Sequence, residues 1–314
     1  MHGSASADSI LKFSAQDVTC DLDLSSDEVT YLLELAGQVK AAPARYADAL
    51  GGRSLSLLFE KPSLRTRVTF EVAIRQLGGH SVFSNGPIGE REPVKDVARN
   101  LDRWTQGIVA RVFSQNTILE LARWASVPVI NALSDLYHPC QALADVMTLR
   151  EHFGELRGLK VAFVGDGNNV AHSLMLSAVR LGASFAIATP AGFGPNPEIA
   201  NQAEGLAAAS GSSLLITTDP EEAVAGANAV YTDVWTSMGS ESEAERRRMA
   251  FSKYQVNERL FALAGRDAIF MHCLPAHRGE EVTDEVIESA QSAVFDQAEN
   301  RLHAQKALLL MVLD

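Results

Sequence analysis

Leu55-Ser56-Leu57-Leu58-Phe59-Glu60-Lys61-Pro62-Ser63-Leu64-Arg65-Thr66-Arg67 is the stretch that decides the fold. Its apolar start is short enough for one buried strand, and after a turn carrying Pro62 and Ser63 the residues from 66 to 77 take helical spacing. A buried strand running straight into a helix is half of a βαβ unit. The same alternation continues outward. Apolar runs at 108–113 and 127–130 read as further strands, with helices at 94–104 and 119–125 between and after them. Upstream, Ser25 and Glu28 have capping-box spacing, and Val29, Leu32, Leu33 and Ala36 follow at i, i+3, i+4 and i+7, which predicts an amphipathic helix. Downstream, Pro139 opens a helix at 140–153 that Gly154 closes.

A polar hinge at 154–158 then separates this series from a second one, with strands at 161–164, 185–189, 214–217, 230–232 and 269–272. The expectation is an α/β protein of two doubly wound parallel-sheet domains with a cleft between them, 1–153 and 154–298. A last apolar strip at 301–313 reads as a C-terminal helix. A length of 314 residues agrees with two domains, each able to bury its own core.

Composition narrows the partners. A formal charge of −12 repels nucleic acid and anionic membranes on average, so an anionic ligand needs a local concentration of arginine. The longest apolar run, 307–313, is far shorter than the roughly 20 residues that cross a bilayer. Residues 1–13 lack an apolar signal core, and three widely spaced cysteines, Cys20, Cys140 and Cys273, read as reduced thiols in a cytoplasm.

Between the first strand and its helix, Ser63, Arg65, Thr66 and Arg67 combine hydroxyl and guanidinium donors with the positive end of a helix dipole, a natural cradle for phosphate. The competing reading is a serine-capped helix with solvated arginines. His138 and Gln141, three apart at the start of the next domain's approach helix, can both face a carbonyl oxygen. Arg111 falls at the C-terminal end of a parallel strand, where ligands bind in such sheets.

Val164-Gly165-Asp166-Gly167-Asn168-Asn169-Val170 invites a dinucleotide reading, but Val170 stands where the third glycine belongs, so that reading is rejected. Asp233, Ser237, Met238 and Gly239 precede a polar run at 240–248 that reads as a mobile loop. A zinc site from His272, Cys273 and His277 matches no closed four-ligand spacing and is set aside.

These motifs in this order resemble the ornithine carbamoyltransferases, over the chain from about residue 22 onward. Ser63-x-Arg65-Thr66-Arg67 and His138-Pro139-Cys140-Gln141 resemble the two motifs that all carbamoyltransferases share. Asp233 with Ser237-Met238-Gly239, His272-Cys273-Leu274-Pro275 and Glu299-Asn300-Arg301-Leu302-His303 resemble those of the ornithine branch.

The resemblance implies transfer of a carbamoyl group from carbamoyl phosphate to the side-chain amine of L-ornithine, giving citrulline for arginine biosynthesis, with no metal or cofactor. It implies a cytoplasmic homotrimer, and a C-terminal helix of about 299–314 packed back on the first domain. Ser63, Leu64 through its backbone, Arg65, Thr66 and Arg67 would hold the phosphate. Arg111, His138, Gln141 and Arg301 would address the carbonyl and phosphate oxygens. The carbonyls of Cys273 and Leu274 would orient the carbamoyl amide, across a cis Leu274–Pro275 bond. Asn169, Asp233, Ser237 and Met238 would bind ornithine, with Asp233 and Cys273 beside the reacting amine. Leu64 departs from the commoner threonine. Val112 and Gln115 stand where the family usually has threonine and histidine, which removes one donor to carbamoyl phosphate.

Overall fold

In the computed structural model, which describes residues 10–236 and 243–313, the chain lays down two sheets in which every strand pair is parallel. The first holds β1 (Ser54–Phe59), β2 (His80–Asn85), β3 (Gly107–Arg111) and β4 (Val129–Leu133), in the order β2-β1-β3-β4. The second holds β5 (Lys160–Val164), β6 (Ser184–Ala188), β7 (Leu214–Thr217), β8 (Ala229–Thr232) and β9 (Ile269–His272), in the order β7-β6-β5-β8-β9. The doubly wound α/β expectation therefore holds for both halves.

Helices cover the sheets: α1 (Ser26–Ala41), α2 (Arg65–Gln76), α3 (Val94–Trp104), α4 (Gln115–Trp124) and α5 (Pro139–Phe153) in the first half. In the second lie α6 (Asn169–Arg180), α7 (Pro197–Ser210), α8 (Pro220–Val224), α9 (Ala244–Ala250), α10 (Glu258–Phe261) and α11 (Asp284–Ile287). The last is α12 (Val294–Leu313). Glu28 and Ser25 close the capping box of α1, and Pro139 occupies the first turn of α5 as its spacing predicted.

Some boundaries moved for physical reasons. The strand expected at 127–130 begins at Val129 and runs on to Leu133, because Pro128 has no N–H for a ladder. The following helix boundary also differs: Ser114 caps the turn by accepting from the Asn116 N–H at 3.2 Å, so α4 starts at Gln115 rather than 119. Strand β2 was not foreseen, because as an edge strand it is only half covered and its sequence, His-Ser-Val-Phe-Ser-Asn, lacks a continuous apolar run. The polar run expected to be loop at 240–248 is helical from Ala244 onward.

The halves share one apolar cluster, which passes from Leu55, Leu57 and Phe59 through α5 and α6 to Phe163 and Tyr231. Helix α12 belongs to that cluster. Its last two turns are buried almost all round, which calls for an element enclosed on every side rather than an amphipathic surface helix. It packs on α1, α2 and α5 of the first half and on β9 of the second.

Leu308, fully buried in α12, tests that role. Leu308→Ala is expected to lower the unfolding free energy by about 2–5 kcal/mol, read from urea denaturation followed by circular dichroism.

Candidate active site

In an open parallel sheet the crevice for ligands forms where neighbouring strands lead off in opposite directions, at their carboxyl ends. Those points here are β1/β3 and β5/β8, and pairing of Phe59 with Arg111 sets the ends of β1 and β3 side by side. Between them lies a cavity of about 330 Å³. From the first half Ser63, Leu64, Arg65, Thr66, Arg111, His138 and Gln141 line it. Across from them stand Asn169, Asp233, Cys273 and Leu274, with Arg301 arriving on α12. Lys61 and Thr236 also line it and were not singled out in the sequence, although each is a near neighbour of a motif residue, and His277, considered there only for zinc, lines it as well.

The first-half wall is strongly cationic. Arg301 is buried and donates through Nη2 to Thr66 Oγ1 at 2.6 Å and through Nη1 to Gln141 Oε1. Burial lowers the pKa of Arg111 to about 10, with the neighbouring charges of Arg301 and Arg65 adding to the effect and Cys273 opposing it. Both guanidiniums nevertheless remain charged at neutral pH. His138 stands at the start of α5, where its N–H donates to Ser173 Oγ at 2.9 Å. Burial, then the charges of Arg301 and Arg111, drive its pKa well below 6.5, so its ring is neutral at pH 7. Arg111 Nε, Arg301 Nε and His138 Nδ1 are buried without a hydrogen-bond partner among the described residues. Buried polar groups left unpaired are costly, so an anion with several acceptor oxygens is the ligand that suits this wall.

The second-half wall is built around one carboxylate. Asp233 Oδ1 accepts from Cys273 Sγ at 3.0 Å and from the Val234 N–H at 2.8 Å, while Oδ2 accepts from Asn168 Nδ2 at 2.8 Å. Asn168 Oδ1 meanwhile caps α6, accepting from the N–H groups of Val170 and Ala171 at 3.0 Å each. Burial, reinforced by the Asp233 charge, holds the Cys273 thiol well above its usual pKa. The Leu274–Pro275 bond is cis, with Leu274 at φ 56°. His272 Nδ1 accepts from the Leu274 N–H at 2.9 Å, so Nε2 carries the proton it shares with Glu281 Oε1 at 3.1 Å. Both ring nitrogens being engaged, His272 has no lone pair left for a metal ion.

Beside Gly165, the turn considered for a dinucleotide is closed by its own protein. A Cβ on Gly167 would lie 2.2 Å from the Pro195 nitrogen, so only glycine fits under that crossing backbone.

Among the described residues, predicted Arg67 does not join the cavity wall. Arg67 donates to Glu71 Oε1 at 2.9 Å, and its guanidinium lies 3.6 Å from the centre of the Phe83 ring, on the outside of α2. The reason is geometric: two positions after Arg65 on a helix, it is rotated by more than half a turn. Ser237 and Met238 lie outside the described residues. Gln115, at a departure from the family pattern, turns inward, donating to Thr19 O at 3.1 Å and accepting from Ser134 Oγ at 2.5 Å. Val112 is fully buried.

Two parallel-sheet halves, one presenting buried guanidiniums whose Nε atoms lack a partner and the other a carboxylate beside a thiol, define a group-transfer site for an anionic donor and a cationic acceptor. Residues 16–151 match the carbamoyl-P binding domain of aspartate/ornithine carbamoyltransferase, and residues 157–312 match its Asp/Orn binding domain. The chain is 50% identical over 312 residues to ornithine carbamoyltransferase of Thermococcus kodakarensis, covering 97% of this chain and 98% of that one. The solved ornithine carbamoyltransferase of Pyrococcus furiosus superposes with a TM-score of 0.94 at 49% identity, covering 97% of this chain and 99% of that chain. That of Gloeobacter violaceus gives 0.89 at 47% identity, covering 96% and 100%. The chain belongs to the aspartate/ornithine carbamoyltransferase family.

The raised Cys273 pKa has a direct readout. At pH 7.5 iodoacetamide should alkylate Cys273 at least about tenfold more slowly than an exposed thiol of ordinary pKa, as judged by peptide mass mapping, since only thiolate reacts. Labelling as fast as that of an exposed thiol would contradict the environment described for it.

Proposed function

We infer that this chain transfers the carbamoyl group of carbamoyl phosphate to the side-chain amine of L-ornithine, giving L-citrulline and phosphate for arginine biosynthesis. The observation that carries the reading is the convergence of Arg111, Arg301 and His138, each with a buried unpaired polar atom, on the cavity that Asp233 and Cys273 enter from the other side. A donor with a dianionic leaving group suits the first wall, and an amine carried by an amino acid suits the second.

In this reading Ser63, Arg65 and Thr66, with the free N–H groups at the start of α2, hold the phosphate. Leu64 contributes only its backbone there. The neutral amine attacks the carbamoyl carbon, and the bond to the phosphate oxygen breaks from the tetrahedral intermediate. Arg111, His138 and Gln141 donate to the oxygen on which negative charge grows, an effect of several kcal/mol when the donors are fixed in advance. The Cys273 and Leu274 carbonyls accept from the carbamoyl NH₂. Asp233 and Cys273 stand beside the incoming amine, and Asn169 binds the amino-acid end together with Ser237 and Met238.

We further propose residues 1–153 as the carbamoyl-phosphate domain and 154–298 as the ornithine domain, with about 299–314 returning to the first. No helix among the described residues is long and apolar enough to cross a membrane. The three cysteines are unpaired, which supports a reducing, cytoplasmic setting, and family resemblance supports a homotrimer.

Three measurements test the reading. A colorimetric citrulline assay should show turnover with ornithine and little with putrescine; carbamoylaspartate formation measured separately should leave aspartate a poor acceptor. Arg65→Ala should raise the KM for carbamoyl phosphate by about 10- to 100-fold, the range of a lost charged hydrogen bond, and Arg67→Ala should raise it less.

The third is pH dependence. An alkyl amine has a pKa near 10, so its reactive neutral fraction grows about tenfold per pH unit below that. The His138 pKa is lowered, so its ring stays neutral throughout this range and contributes no step. The value of kcat/KM for ornithine should therefore climb from pH 7 toward pH 9, and a flat profile there would count against amine deprotonation as the controlling event.

A further inference from the structure

The reaction just described leaves one buried carboxyl group of the domain seam without a part. Asp145, on α5 one turn beyond Gln141, is fully buried and does not line the cavity. Its Oδ1 accepts from Gln141 Nε2 at 2.8 Å and from Gln297 Nε2 at 2.6 Å, while its Oδ2 has no partner among the described residues. Gln297 lies on α12, and its Oε1 accepts from the backbone N–H of His272 at 3.0 Å. One carboxyl oxygen thus joins the first-half helix that carries Gln141 to the second-half strand that leads into Cys273 and Leu274.

The side chain of Gln141 has two ends that differ only in O and NH₂, and nothing in its own torsion prefers one orientation. Its neighbours decide. Arg301 can only donate, so Oε1 must face it, and the carboxyl oxygen of Asp145 takes one of the two Nε2 hydrogens. The other remains for the cavity. Resting on the carbamoyl-transfer reading, we propose that Asp145 is a positioning residue. It holds the Gln141 carboxamide with its second N–H toward the carbamoyl oxygen and, through Gln297, keeps that donor in register with the Cys273 and Leu274 carbonyls. A donor held in place costs no reorganisation when the oxyanion forms, whereas a swinging amide binds the ground state nearly as well and stabilises the transition state less. The loss should therefore fall on kcat.

Burial raises the Asp145 pKa to about 7, against the opposing hydrogen bonds of Gln141, Gln297 and Tyr231 and the charge of Arg301, while the two amide contacts themselves need only an accepting oxygen in the same place. That makes Asp145→Asn the informative partner of Asp145→Ala: its Oδ1 can accept from both amides and its NH₂ takes the unpartnered position.

The test uses the full-length enzyme and a citrulline assay, with inorganic phosphate as a competitive probe of the cradle. Wild type must first form citrulline; if it does not, the reaction reading fails and this proposal with it. D145A is expected to lose about a hundredfold in kcat, the scale for one missing oxyanion donor, with the ornithine KM and the phosphate inhibition constant kept within about threefold. D145N is expected to recover at least about half of the wild-type kcat, because the acceptor geometry is restored. Should D145A not accumulate as folded protein, Asp145→Ser replaces it, its hydroxyl being too short to reach either amide, and the same split is expected. The proposal is overturned if the truncated variant keeps wild-type kcat, if its phosphate affinity collapses in step with kcat, or if D145N is as impaired as D145A.

Discussion

A buried cation sustains the whole arrangement. Taking a guanidinium out of water is expensive unless its protons are matched, and Arg301 is matched by Thr66 on α2 and Gln141 on α5. The two motifs that line the first-half wall are therefore held together by a residue far from either in the chain. What remains unmatched is the Arg301 Nε and the equivalent nitrogen of Arg111, which on the function proposed above would favour a polyoxygen anion. Stability and binding draw on the same charge: the protein satisfies enough of it to fold and leaves enough to attract a ligand.

The opposite wall follows a different rule. There the carboxylate of Asp233 is surrounded by donors, from Asn168, the Val234 backbone and the Cys273 thiol, and is already well solvated by protein. The wall's backbone is stiffened from behind by His272, which bonds the Leu274 amide on one side and Glu281 on the other. Parallel sheets make both walls possible, because strand ends and helix starts from distant parts of the chain come out at one edge.

Much of this was legible in the amino acids, and the reasons are particular. Buried strands such as β3 and β9 announce themselves as uninterrupted apolar runs, and the caps of α1 and α5 carry distinct residue signatures. The motif residues around 63–66, 138–141 and 273–274, which the structure gathers around one cavity, were readable because donor-rich side chains at a helix start or strand end stand out from their neighbours. The outward turn of Arg67 was not foreseen, since a motif read as a string hides the rotation between successive helical residues. Nor was the inward turn of Gln115, whose partners Thr19 and Ser134 come from distant parts of the chain. Asp145 escaped attention because its bond to Gln297 reaches 152 residues along the chain, which no local pattern encodes.

The position of α12 has a further consequence for how the enzyme comes into being. Since Arg301 is carried on α12, which follows both sheets in the chain, both sheets are synthesised before the residue that fastens Thr66 to Gln141. A chain grown only as far as the second sheet thus holds both motifs without the clasp that joins them.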